Sequence, residues 1–191
     1  MKKTILIIGA IVMMAGFSSR VLAIDPPTHS SVVSNEVAVM LLIPLKLAKV
    51  TPLNFGSVNL GVGEIGTVTL NATGGSPIYG GGVSTTAWKG SPSVATYTVD
   101  GTFNQTYSLT IDPEITLNAA AGAQSGVATM LVNAFTVSYI NSPALRAAGS
   151  SISTLSATGH DGFSIGATLN VSPSQAGGAY NGAFTASVDY N

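Results

Sequence analysis

The chain of 191 residues contains no cysteine, so disulfides are excluded, and so is lipid attachment through an N-terminal Cys. Core packing must then stabilise the fold unaided. Charge is also scarce, with 7 Lys and Arg, 8 Asp and Glu, and 2 His, only 8 % of residues being charged. That leaves no basic patch, and nucleic acid is not expected as a partner. Hydrophobic residues make up 46 %, so the lack of charge does not mean disorder. Surface polarity must come from Ser, Thr, Asn and Gly, a composition that suits strands better than helices. No stretch sustains a helical period; residues 144–148 could form one turn at most.

The first residues read as a secretory signal. Lys2 and Lys3 are the positive start, residues 4–17 an apolar run, and Val21-Leu22-Ala23 the small-residue cleavage pattern. The run is too short for a comfortable membrane span, and no transmembrane segment is expected once residues 1–23 are removed. About 168 residues remain (191 less 23), enough for one domain with a sizeable core. They hold Lys46, Lys49, Lys89 and Arg146 against eight acids, a net charge of 4 − 8 = −4.

Residues 24–36 form a polar, Pro-containing leader expected to be mobile, and residues 37–191 a single domain. Val37, Val39, Leu41, Ile43, Leu45 and Leu47 then alternate with a mixed face, which predicts a strand over 37–48. Pro44 cannot donate to a ladder, so that strand should lie at an edge or bend. Further strands are predicted at 66–72, 94–99, 106–111, 115–118, 128–139, 153–157 and 163–171, each bounded by Gly, Pro, Asn or Asp. The glycine-rich 74–82 is expected to be irregular. Asp100-Gly101 and Gly177-Gly178 read as hairpin turns, the second joining 163–171 to the last strand.

That last strand, 177–191 (GGAYNGAFTASVDYN), organises the rest. Tyr180, Gly182, Phe184, Ala186, Val188 and Tyr190 fall on one side of an extended chain and polar or small residues on the other. About nine strands with no interposed helix imply an all-β, antiparallel, immunoglobulin-like β-sandwich.

Candidate chemistry is thin. Gly162-Phe163-Ser164-Ile165-Gly166 fits G-x-S-x-G, but a nucleophile there needs a strand, a turn and a helix, and residues 167–171 alternate as a strand. His160-Asp161 with Asp100, Asp112 and Glu114 lacks metal-ligand spacing, and no cofactor is implied. The chain is therefore not expected to be an enzyme. Trp88 and Tyr79 could form a sugar-stacking platform, which makes a monomeric, secreted carbohydrate-binding module the alternative function.

The alternating last strand, Tyr190 next to the end and Gly178 fourteenth from it resemble the C-terminal motif of fimbrial (pilus) subunits assembled by the chaperone–usher route. Val33, Val37, Val39 and Leu41 are similar to a donor strand that completes a neighbour's sandwich. The resemblance implies an exported structural or adhesive surface subunit of a pilus-like polymer, built by β-strand complementation. Residues 33–41 would donate, and Gly178, Tyr180, Phe184, Val188 and Tyr190 would belong to the edge a chaperone handles. Its partners would be a periplasmic chaperone, an usher, copies of itself and a host surface or glycan. Its route would run by the general export pathway through the periplasm to the cell surface or the extracellular space.

From about Val37 to Asn191 the chain also resembles a secreted bacterial domain-of-unknown-function family, number 4402. That likeness rests on Ile43-Pro44-Leu45, Leu53-Asn54-Phe55-Gly56, Gly66-Thr67-Val68-Thr69, Thr96-Tyr97-Thr98-Val99 with Gly101, and Ala128-Thr129-Met130, and on 163–171 and 178–184. It implies a fold and export but no assigned chemistry.

Overall fold

The computed structural model describes residues 36–85, 90–149 and 151–191. The segment read as a signal, most of the leader with Val33, and Trp88 lie outside the described residues. Met40–Asn191 forms one compact unit and residues up to Val39 another. The first unit is described only over 36–39, which are exposed and belong to no strand.

The compact unit is an antiparallel β-sandwich of fourteen described strands, with no helix among the described residues. The centre of its larger sheet is β12 (His160–Val171). Its inward positions Phe163, Ile165, Ala167, Leu169 and Val171 are buried, the period of two that marks a strand with one face on a core. On one side β12 pairs β9 (Thr129–Tyr139), then come β8 (Ile115–Ala119) and β13 (Tyr180–Asn181). The other side is shared. Residues 160–165 pair β6 (Ala95–Asp100), whose far neighbour is β1 (Lys46–Thr51), and residues 167–171 pair β3 (Gly66–Leu70), followed by β4 (Ile78–Gly81).

Gly166 marks the change of neighbour. A β-carbon there would run into the Leu70 carbonyl and the Ala72 amide nitrogen, because β3 leaves the sheet directly over it. On β9 the register slips between Gly166 and Thr168, and Ala134 adopts φ 49°. This bulge adds one residue, so Val132 and Phe135, three apart, both face the core.

The smaller sheet is β7 (Thr106–Ile111) flanked by β11 (Ser151–Thr154) and β14 (Ala186–Tyr190). Tyr107, Leu109 and Ile111 of β7 are buried in the same core as Val99, Val137, Tyr139 and Phe163 of the larger sheet. Two short strands, β2 (Val58–Leu60) and β5 (Val83–Thr85), pair with each other, and β10 (Arg146–Ala147) pairs β9.

Several expectations change. β1 begins at Lys46, so the strand predicted over 37–48 loses residues 37–45 and keeps only its last three. Pro44 has no N–H, and both main-chain groups of Ile43 are taken by side chains. Neither predicted hairpin forms. β6 and β7 lie in different sheets, so Asp100-Gly101 carries the chain across the sandwich. Likewise β12 does not pair with the last strand, which splits in two: β13 joins β8 and β14 joins β7, with 182–185 crossing between sheets. The glycine-rich 74–82, expected to be irregular, contains β4, because Ile78 and Tyr79 register against Thr69 and Val68.

Candidate functional site

The two edges of the smaller sheet differ chemically. In an antiparallel ladder alternate residues bond the neighbour, and those between turn their N–H and C=O away from it. On β11, Leu155 N–H donates to the Gln105 carbonyl at 2.9 Å. Ile152 and Thr154 therefore face the free side. Both of their carbonyls are occupied by side chains: Arg146 Nη1 donates to Ile152 O at 2.9 Å, and Asn141 Nδ2 donates to Thr154 O at 3.0 Å. Arg146 also donates to Ser142 Oγ at 2.7 Å, and its guanidinium lies over the Tyr139 ring, 5.4 Å from the centroid. This edge is closed to another strand.

On β14, Asp112 N–H donates to Thr185 O at 3.3 Å and Asn191 N–H to Thr106 O at 3.2 Å. Ser187 and Asp189 therefore bond β7, while the main chains of Ala186, Val188 and Tyr190 face outward. Among the described residues β14 pairs with β7 alone. The side chains of Phe184, Ala186, Val188 and Tyr190 pack on the core but remain half-buried, whereas Tyr107 and Leu109 beside them are fully buried. The Phe184 ring sits 5.4 Å from that of Phe135, tilted by 49°. An open row of main-chain groups above half-covered apolar side chains can accept an extended segment.

Of the residues the sequence proposed for assembly, the fold groups Phe184, Val188 and Tyr190 on this edge. Gly178 and Tyr180 lie elsewhere. Gly178 is exposed, with φ 154°. The Tyr180 hydroxyl, on β13, is 2.7 Å from Ala176 O and 3.0 Å from Val127 O, and accepts from Gln175 Nε2 at 2.8 Å. That ties down the turn after β12. Val37 and Val39 are each 94 % exposed and Leu41 85 %, an apolar row in no ladder. Tyr79 is half-buried on β4 and packs against the core.

Sequence reasoning weighed Asp161 only as a metal ligand and missed that it binds the two sheets together. It is 7 % exposed. Oδ2 accepts from the Tyr107 hydroxyl at 2.9 Å and Ser153 Oγ at 2.7 Å, and Oδ1 accepts from the main-chain N–H of Gly162 at 2.8 Å and Asn141 at 3.1 Å. Burial, then the hydrogen bond to Asp161, holds the Tyr107 hydroxyl neutral well above the ordinary tyrosine range. The available signal was parity: Asp161 is the one acid in the inward row that continues through 163, 165, 167, 169 and 171.

Ser164 lies mid-strand on β12, between Thr96 and Ser138 of its neighbours. No nucleophile elbow forms around it, and His160, four residues away along a strand, is about 13 Å distant. His160 Nδ1 lies instead 2.5 Å from Asp100 Oδ1, both groups exposed. Among the described residues no three His, Asp or Glu side chains gather as a metal site. Two shallow depressions, one beside Asn71, Gly74 and Pro92 and one beside Gly66, Gly80 and Asn170, are lined by no titratable side chain among the described residues.

No curated protein and no solved structure matches the chain. One family model, described as a domain of unknown function (DUF4402), matches residues 45–190, from just before β1 to the end of β14. The match takes in both sheets of the sandwich and its open edge, and by it the protein belongs to the DUF4402 family.

Proposed function

We propose that the protein is an exported structural or adhesive surface subunit of a pilus-like polymer, in which residues 33–41 of one copy add as a strand along β14 of the next. The observation that supports this most is the asymmetry of the smaller sheet, closed by Arg146 and Asn141 at β11 and open at β14. The same chain offers Val37, Val39 and Leu41 at alternate positions, exposed and unpaired. Burying three such side chains is worth roughly 5–9 kcal/mol before association costs, and the ladder bonds add to it. An edge of this kind must be covered until assembly, a need that a periplasmic chaperone and an usher would meet.

The test is refolding of residues 24–191, followed by size-exclusion chromatography and thermal unfolding over a range of concentrations. Self-association that Val39→Lys with Leu41→Lys converts to a folded monomer is expected. A wild-type chain that runs as a sharp monomer with a cooperative melt overturns the proposal and leaves the carbohydrate-binding module to be screened against glycans.

A further inference from the structure

Ile43 is gripped at both of its main-chain groups. Its N–H donates to Thr102 Oγ1 at 2.6 Å, and its carbonyl accepts from the Tyr190 hydroxyl at 2.6 Å. That hydroxyl in turn accepts the Thr102 N–H at 2.7 Å. The three residues close a ring of hydrogen bonds around buried Thr102. Two residues on, Leu45 lies against Gly101, which has no side chain to interfere. Ile43 thus stands at the root of the exposed residues 36–42. Tyr190 stands on β14, where its main chain is one of those turned to the open edge.

We infer that the Tyr190–Thr102–Ile43 ring couples acceptor to donor within one subunit: a strand bound along β14 fixes Tyr190, and Tyr190 fixes the root of the segment that the same copy offers to its neighbour. The inference rests on the strand-addition reading and adds a linkage to it. β14 is an edge strand with half-covered side chains, so a new ladder on its free side restricts the Tyr190 main chain and hence its hydroxyl. Holding Ile43 then costs less entropy, which lowers the cost of ordering the donor. Linkage is reciprocal, so an intact ring also raises affinity for the incoming strand. A copy whose edge is filled is therefore a better donor than a free copy, and the polymer extends from its own end in preference to starting anew.

The test uses the chain carrying Val39→Lys and Leu41→Lys, to silence self-assembly, with a labelled synthetic peptide of residues 33–43 as probe. Fluorescence anisotropy reads peptide affinity, and hydrogen exchange reads the Ile43 amide. Peptide binding is expected to slow exchange at Ile43. Tyr190→Phe and Thr102→Val are each expected to weaken peptide binding at least about fivefold and to abolish that slowing. Thr102 is not on β14, so a loosened strand alone would leave the Thr102→Val result unmoved. Thr102→Ser keeps the oxygen and should restore wild-type behaviour. Peptide binding of equal strength across the variants, or unchanged Ile43 exchange on binding, overturns the coupling while leaving strand addition intact. No peptide binding at all overturns strand addition and this inference with it.

Discussion

Replacing Asp161 tests whether the sandwich depends on one buried carboxylate. Its side chain comes from the larger sheet, while Tyr107 and Ser153 come from the smaller. Asp161→Ala strands four donors. The two hydroxyls can rotate toward other acceptors, but the main-chain N–H groups of Asn141 and Gly162 cannot. At about 1–3 kcal/mol for a buried unsatisfied donor such as the Gly162 N–H, less for the part-buried Asn141 N–H, and with both hydroxyl bonds to the carboxylate also lost, the loss should be about 3–5 kcal/mol. In a domain of this size that lowers Tm by about 6–20 °C. Asp161→Asn should cost less. The carboxamide oxygen can keep both main-chain N–H groups, and the amide can donate to the rotated hydroxyls, forfeiting chiefly the charge assistance. We expect about 1–2 kcal/mol for it. Urea and thermal unfolding followed by circular dichroism measure both variants. A loss below about 1 kcal/mol for Asp161→Ala, or equal losses for the two, would refute the reasoning that the fixed amides set the cost.

Gly166→Ala should destabilise by about 1–3 kcal/mol, since the new methyl meets main-chain atoms of Leu70 and Ala72 that cannot step aside; a melt within 1 °C of wild type would show that β3 can shift. Arg146→Ala with Asn141→Ala frees the Ile152 and Thr154 carbonyls, and should turn linear assembly into branched or amorphous aggregation, visible by electron microscopy and light scattering. Unchanged linear assembly would mean that the edge is blocked by shape instead. Alkaline pH should unfold the protein. Burial raises the hydroxyl pKa of Tyr107, Tyr139 and Tyr97 above the ordinary 10.0, so the folded state keeps protons that the unfolded chain releases. Stability is therefore intact below about pH 10 and falls as pH rises beyond it. Absorbance of tyrosinate tracked against circular dichroism checks this: ionisation of all tyrosines before any loss of structure would contradict it.

Much of the architecture was legible in the sequence because strand periodicity is local. The alternation through 184, 186, 188 and 190 predicted which side chains of β14 turn inward, and that holds residue by residue. The same parity gave 163–171 its buried face and excluded helices. Pairing is a different matter, because the partner of a strand is chosen by residues far away in the chain. Asp100-Gly101 and Gly177-Gly178 look like hairpins locally, yet the first hands the chain from one sheet to the other and the second leads from β12 to β13, a strand of the same sheet that is not its neighbour. Nothing near 177–191 announces that Tyr180 will join β8 and Val188 join β7. The sequence alone thus determined an all-β chain and the inward row of residues 184–190, since these follow from the spacing of neighbouring residues. Only the tertiary structure decided which edge is closed and which is open. Arg146 with Ile152, Asn141 with Thr154, and Tyr190 with Ile43 and Thr102 meet through the crossings of the sandwich, and no local pattern encodes such meetings.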